Sequence, residues 1–593
     1  MIYRYGIFVF LCIELLLVHS VTGQDTPLFE TRAVWFATVL GDGNWPVSTS
    51  DSADKQAADL RARIQTAKSH GLNTFIMQVV ARGDAMYPSV RLPWSARLKG
   101  AGVNPGYDPL AVAVAEAHRL GMELHAWFNV FRIGDTSTVT QFESLSNPGH
   151  VYYEEPDWVR DVSGALWLNP AISEARAWLV DNVMEIVNNY DIDGIHFDFV
   201  RYNQQGYSDD FDLFSQNPRG FTVLDDWRRN NVTLFVRDAS DAIMQAKNWV
   251  KVSATPLGNY TPFPNAWPAL WAFDDTYQES RLWLVEGSTD YLAPQIYFSI
   301  GREPEPPNTF DSPDFTFLVD EWVSEVQGKP VFVGMGPYKS VVLAELDQQI
   351  DLTRTRGARG QVYFRYDHIL NFDFTAAYPT QAIPWPMSQR FFSFEPDAPS
   401  DLQLALESGS GGAPELVLSW PTPVSNSLDP LGTFAIFRSQ GDTPDVTAAT
   451  DLLAIVNASV NEYRDADIDP GLTYTYQLTA ISRLGKVSDP SPTATTQAVG
   501  LDDQPVVAAA FTIKSIHPNP TDTRITVAYS GNPGNAIAVE ILDVTGRRRF
   551  IERSGSTSGS GSVDIDVQDL PSGVYVARIV SGQSTVSRLF IRR

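Results

Sequence analysis

The chain has 593 residues, 44% hydrophobic and 19% charged, which is ordinary for folded protein but too long for a single hydrophobic core. Its 70 acidic against 44 basic side chains leave a net charge of -26 and exclude the broad basic surfaces that nucleic acid and anionic membranes require. One cysteine, Cys12, excludes a disulfide framework and thiolate metal centres.

At the N-terminus, Arg4 precedes an apolar run from Gly6 to Val18, broken only by Glu14, and Val21-Thr22-Gly23 precedes Gln24. This reads as a signal peptide over 1–23, too short in its apolar run for a membrane span. Cys12 lies inside it, so the mature chain is expected to carry no thiol. No later stretch is long and apolar enough to span a bilayer, so the mature chain is expected to have no membrane span.

From Glu30 to Trp385, strand and helix signals alternate. Strands are predicted at Arg32–Thr38, Thr74–Val80, Glu123–Val130, Gly194–Val200, Lys251–Thr255, Tyr291–Tyr297, Val331–Met335 and Gly360–Arg365. Helices are predicted between them at Asp54–His70, Pro109–Leu120, Ser173–Tyr190, Val223–Asn248, Leu282–Glu286, Phe315–Gln327 and Val341–Arg356. Each strand is short, apolar and framed by Gly, Asp or Pro, the pattern of βα units around a parallel sheet. About eight such units predict an α/β (β/α)8 TIM barrel over 28–388. A doubly wound open sheet is the alternative, weakened because no Gly-rich phosphate loop follows the first strand. Of the 15 Trp, all but Trp420 lie between Trp35 and Trp385, and Pro384-Trp385-Pro386 with Glu395–Pro399 read as a linker.

Helix signals then stop. Leu416–Trp420, Thr433–Arg438, Thr473–Ser482 and Thr493–Val499 read as strands of an all-β sandwich over 397–500. Leu501–Ala509 is a second linker. A further all-β module is expected over 510–593, with a Gly/Ser-rich loop at Ser554–Ser562.

In such a barrel the site is built where strands end. The most informative stretch is Asp193-Gly-Ile-His-Phe-Asp198, a buried strand that places His196 and Asp198 on one side, with Arg201 and Tyr202 following at once. An apolar strand ending in such groups is costly unless they meet a polar ligand or each other, as in an Asp198–Arg201 ion pair. The other strand ends supply Gln78, Arg82 and Asp84; His125, Trp127 and Asn129; Gln295 and Tyr297; and Arg365. Singly, His125 and His196 read as hydrogen-bonded core histidines and Trp127 as packing. Together, aromatic faces beside amides, arginines and carboxylates suit sugar rings, whose C–H faces pack on Trp and Tyr while their hydroxyls take hydrogen bonds. Glycoside hydrolysis needs two carboxyl groups. Asp198 is the first, as nucleophile or base. Glu279, after the fifth strand, is the candidate general acid, and Asp84 is its rival. Gln78, Arg82, Asp84, His125, Trp127, Asn129, His196, Arg201, Tyr202, Gln295, Tyr297 and Arg365 are expected to line the sugar subsites. The 8 His show neither His-x-His nor His-Glu-x-x-His, and no Gly-x-Ser-x-Gly elbow occurs, so no metal and no cofactor are expected.

Glu30-Thr-Arg-Ala-Val-Trp35, Phe75–Val79 with Arg82–Tyr87, Ala126–Asn129, Asp191–Asp198 and Asp290–Tyr297 resemble, in order, the glycosyl-hydrolase-like family 10 domain. The resemblance implies a barrel hydrolase acting on a polysaccharide, with relatives pointing to peptidoglycan glycan strands that lack stem peptides. One departure stands out. Many members carry a second carboxylate directly after the strand Asp, where this chain has Phe199. Loss of that group motivates the rival expectation of a catalytically decayed surface glycan-binding protein. The middle module resembles fibronectin type III, through Trp420, Glu462–Asp465 and Tyr474-Thr-Tyr476. Ile516–Pro520, Ile541–Gly546 and Leu570–Tyr575 resemble a type IX secretion sorting domain. That resemblance implies the type IX secretion machinery as a partner, and a protein carried through the periplasm and then released or held at the cell surface.

Overall fold

The computed structural model describes residues 26–39, 45–204, 206–263, 266–301, 313–387, 390, 393–409, 413–469, 472–497, 512–530, 537–543, 548–554, 560–581 and 584–593. The expected signal peptide and the linker at 501–509 lie outside the described residues.

Eight parallel strands form the first architecture: β1 Thr31–Phe36, β2 Thr74–Val80, β3 Glu123–Asn129, β4 Gly194–Asp198, β5 Lys251–Ala254, β6 Tyr291–Leu292, β7 Phe332–Met335 and β8 Gly360–Tyr363. They pair in the order β7-β8-β1-β2-β3-β4-β5-β6. Single bridges from Leu292 to Val331 and from Gln295 to Gly334 bring β6 against β7, so the sheet closes into the expected barrel. Pro294 has no N–H for a ladder, which is why β6 is only two residues long rather than reaching Tyr297. The flanking helices are α1 Ala53–Ser69, α2 Pro109–Arg119, α3 Ser173–Asn189, α4 Leu224–Ala246, α5 Ser280–Glu286, α6 Phe315–Ser324 and α7 Leu346–Thr355. Ser52 and Asp108 cap α1 and α2 by accepting from Lys55 N and Ala111 N, satisfying amides that each helix start leaves orphaned.

Strand alternation sorts the side chains of β4. Ile195 and Phe197 are fully buried in the large core between barrel and helices. His196 and Asp198 turn to the barrel interior. Between β3 and α3 lies an element that the sequence does not announce, a three-stranded antiparallel sheet ordered Arg132–Asp135, Ala165–Leu168, Val159–Val162. Each strand has four residues, too short for a two-residue period to stand out.

The middle module is a sandwich of a three-stranded sheet (Gln403–Ser408, Pro414–Ser419, Glu462–Asp465) and a four-stranded one (Leu452–Asn457, Leu431–Gln440, Thr473–Ser482, Ala494–Gln497), as expected of a fibronectin type III-like domain. It forms one compact unit with the barrel. Arg483 Nη2 donates to Ile192 O at 3.0 Å and pairs with Asp193 at 3.1 Å, while Nη1 pairs with Asp191 at 3.0 Å. Next to it, Leu484 is fully buried and joins Trp35, Tyr291, Phe332 and Met387 in the apolar cluster inside the barrel. Gly485 permits this approach: its φ is 86°, and a Cβ there would meet Pro386 Cα at 2.6 Å.

The C-terminal unit, residues 498–593, is a second all-β module of three-stranded and four-stranded sheets around Ile525, Val527, Val539, Ile541, Ala577, Ile579 and Phe590. Among the described residues no helix is long and apolar enough to cross a membrane.

Candidate active site

At the C-terminal ends of the strands the barrel opens into a cavity of about 170 Å³. Asp198 projects into it from the end of β4, with Trp127 and Asn129 from β3, Gln78 from β2 and Trp35 from β1. Arg82, Arg201, Gln295, Tyr297 and Phe364 from the following loops, and Arg132 from the antiparallel insertion, also line it.

Asp198 is 8% exposed. Burial pushes its carboxyl from the ordinary 3.8 up to about 6. The Phe199 amide, the charges of Arg201 and Arg132, and the Trp127 indole oppose that rise without cancelling it. Oδ1 accepts from Phe199 N at 2.7 Å. The expected alternative of an Asp198–Arg201 ion pair is not formed. Arg201 stacks instead over Trp167 at 5.4 Å and over Phe199 at 5.1 Å. Arg132 stacks over Phe199 at 5.4 Å and pairs with Asp135 at 2.7 Å. Neither Arg82 nor Arg201 has a carboxylate partner among the described residues.

The amides are held by the barrel itself. Asn129 Nδ2 donates to Ala81 O at 2.9 Å, and its Oδ1 accepts from Trp127 Nε1 at 2.9 Å. Gln78 Oε1 accepts from Thr38 N at 3.0 Å. Gln295 Nε2 donates to Thr255 O at 3.3 Å. Such partners lock the rotamers and leave the remaining polar atoms oriented before any ligand arrives.

Several residues expected in the site lie elsewhere. His196 is fully buried below the cavity. Trp35 Nε1 can only donate, so His196 Nε2 accepts (2.9 Å) and the ring proton sits on Nδ1, facing Ser253 Oγ at 2.9 Å. Burial holds this imidazole well below its usual value, hence neutral. His125, 1% exposed, is deeper still, between Tyr291 OH at 2.8 Å and Glu123 at 3.0 Å. Both histidines are core groups that hold the barrel interior. Tyr202 is fully buried, its hydroxyl accepting from Asn231 on α4 at 3.0 Å. Asp84 accepts from Arg82 N at 3.1 Å and shapes the loop rather than the cavity wall. Arg365 is tied bidentately to Asp367 at 2.6 and 2.9 Å.

Glu279 is the largest displacement. Tyr277 takes a left-handed backbone, φ 59°, and Gln278 turns inward to receive Leu257 N at 3.2 Å. Glu279 therefore faces the helix shell, where Arg229 and Arg237 of α4 are its nearest opposite charges; burial raises its carboxyl. It does not line the cavity with Asp198. The sequence reading assumed that the stretch after β5 continued in register, and the turn at Tyr277 breaks that assumption.

Trp35, Thr255 and Phe364 line the cavity without having been singled out. Their signal was present, since each lies in or next to a barrel strand. Trp167 supports Arg201 from the antiparallel insertion and left no such signal. Among the described residues no group of three or more His, Cys, Asp or Glu is arranged to hold a metal ion.

Residues 30–315 match the glycosyl hydrolase-like 10 family, and 515–592 match a secretion system C-terminal sorting domain, a tail that directs export to the cell surface or beyond. The chain is 37% identical over 323 residues to the glycosyl hydrolase YngK of Bacillus subtilis (strain 168), covering 52% of this chain and 61% of that protein. It is 30% identical over 378 residues to the glycosyl hydrolase DigH of Escherichia coli (strain K12), covering 57% of this chain and 83% of that protein. Among solved structures it is similar to the catalytic domain of the β-amylase of Paenibacillus polymyxa, with a TM-score of 0.38, 13% identity, and coverage of 59% of this chain and 95% of that one. By its match over residues 30–315 and its 30% identity to DigH across 83% of that protein, the chain belongs to the glycosyl hydrolase-like 10 family.

Proposed function

We propose that the protein is an exported glycoside hydrolase that cleaves O-glycosidic bonds in a polysaccharide, with peptide-free peptidoglycan glycan strands as substrate. The observation that carries this reading is Asp198: a carboxyl at a strand end, in an aromatic-walled cavity, whose value of about 6 lets it exchange a proton near neutrality. At that value Asp198 is able to act as a proton donor besides the nucleophile or base expected from sequence. The proton passes from Asp198 to the glycosidic oxygen as the C1–O bond breaks; a water then adds its oxygen to C1 and returns its spare proton to the Asp198 carboxylate, which restores the starting state. Trp35, Trp127, Tyr297 and Phe364 offer faces to the ring, and Gln78, Asn129 and Gln295 offer amides to its hydroxyls. Stripping the stem peptide from a strand exposes a carboxylate on alternate sugars. Arg82 and Arg201, without carboxylate partners among the described residues, provide the matching charge.

A second reading, a glycan-binding protein on a decayed scaffold, is favoured by one observation. Asp198 is the only carboxylate among the described residues that line the cavity, and Phe199 follows it. Product analysis separates the two. Purified glycan strands with and without stem peptides are incubated with wild type and Asp198→Asn. New reducing ends from the peptide-free strands with wild type alone support the hydrolase. Strand binding without new reducing ends from either protein supports the second reading.

A further inference from the structure

The cavity holds about 170 Å³, below the ~300–1,000 Å³ of sites that enclose a drug-sized ligand. It therefore accommodates a single ring-sized group, and the rest of any glycan lies on the rim. Tyr338, three residues beyond the end of β7, is 44% exposed at that rim. Its ring packs edge-on against two cavity-wall rings, Tyr297 at 5.9 Å (86°) and Phe364 at 6.1 Å (82°). Those two stack on each other at 5.4 Å (23°). His368 flanks Tyr338 at 6.1 Å. The aromatic surface thus runs without a break from inside the cavity to solvent.

This exposed ring is held in place. Lys339 N closes the turn onto Gly336 O at 3.1 Å, and Lys339 Nζ donates to Tyr297 O at 2.6 Å, so the Tyr338 turn is pinned to the cavity wall. Gly336 is required for the fit, since a Cβ there would lie 2.7 Å from Tyr297 Cβ and 3.0 Å from Tyr338 Cε1. A large ring kept half in water, with its orientation set by neighbours, loses little entropy when a flat apolar face docks on it.

We infer that Tyr338 is a sugar-stacking residue of an outer subsite, receiving the ring next to the one held in the cavity, so that the preferred substrate is a chain rather than a terminal sugar. The inference rests on the glycosidase reading above. Stacking of one ring face makes a modest contribution, and losing it is expected to cost about three- to tenfold in kcat/KM on long strands. The test measures wild type, Tyr338→Ala and Tyr338→Trp on peptide-free glycan strands and on the shortest fragment that wild type cleaves, with a thermal melt of each full chain. The expected result is a raised KM for Tyr338→Ala on long strands, an unchanged rate on the shortest fragment, an unchanged melt, and recovery in Tyr338→Trp. Equal loss on long and short substrates, or no loss on either, overturns the outer subsite while leaving the hydrolase reading standing. Wild type that cleaves no glycan overturns both.

Discussion

Phe199 gives its backbone amide to Oδ1 of Asp198 at 2.7 Å while holding a left-handed conformation, φ 50°. A bulky residue in that region costs of order 1–3 kcal/mol and persists only where its surroundings compel it. Here the surroundings are Trp167, edge-on at 5.7 Å, and the guanidiniums of Arg132 and Arg201 over its ring. Phe199 thereby holds two cations in stacks rather than in ion pairs with Asp198.

Asp198→Asn is expected to lower turnover roughly 10²–10⁴-fold, the usual worth of a positioned proton donor. The same variant has a stability signature. With a folded-state value of about 6 against the ordinary 3.8, the native chain holds the proton more tightly than the unfolded one. The resulting stability is full below about pH 4 and is lost as pH rises through 6. Asparagine cannot ionise, so at pH 7 the variant is expected to gain up to roughly 2–3 kcal/mol over wild type, and less than about 1 kcal/mol at pH 4. Urea unfolding at the two pH values checks this; equal differences at both would contradict the burial argument.

Phe199→Ala removes the ring on which Arg132 and Arg201 stack. If either guanidinium then closes on Asp198, the carboxyl value falls, by about 1–3 units for a direct neighbour. The alkaline limb of kcat/KM is therefore expected to move to lower pH, with Phe199→Tyr keeping the wild-type profile. A profile that drops in height without moving sideways would mean that Phe199 acts only through folding.

Glu279→Gln is expected to change activity by less than about twofold, because its carboxyl lies in the field of Arg229 and Arg237 on the helix shell and does not line the cavity. Steady-state rates on the same strands decide this. A loss comparable to that of Asp198→Asn would restore Glu279 as the general acid.

Arg483→Ala leaves Asp193 buried without its guanidinium, although Leu124 N and His118 still reach it at 2.8 Å each. Breaking such a pair is expected to cost about 3–5 kcal/mol. The pairing with Arg483 and His118 outweighs burial and holds Asp193 well below the ordinary carboxylate range. Its stability is therefore present above pH 4 and lost as pH falls through the depressed value. The variant should melt lower at pH 7 and lose less on acidification than wild type. An unchanged melt would show that the middle module does not brace the barrel floor.

The barrel was legible because each βα unit announces itself locally. Glu123–Asn129 and Gly194–Asp198 are apolar runs of strand length, each framed by turn residues. Rim residues that sit in strands, such as Gln78, Trp127, Asn129 and Asp198, could be placed by alternation alone. Tyr202, Glu279 and Arg365 could not, because each follows a strand end, where one left-handed residue or one turn redirects every side chain after it.

By itself the sequence determined the fold class, the all-β character of the later modules and the strand that presents Asp198, since these rest on short-range periods and turn chemistry. Only the tertiary structure decided that Arg201 stacks on Phe199 and Trp167 instead of neutralising Asp198, that Glu279 faces outward, and that Leu484 of the middle module fills the barrel floor. Those outcomes are set by contacts between residues far apart in the chain, whose burial and mutual distance no local pattern encodes.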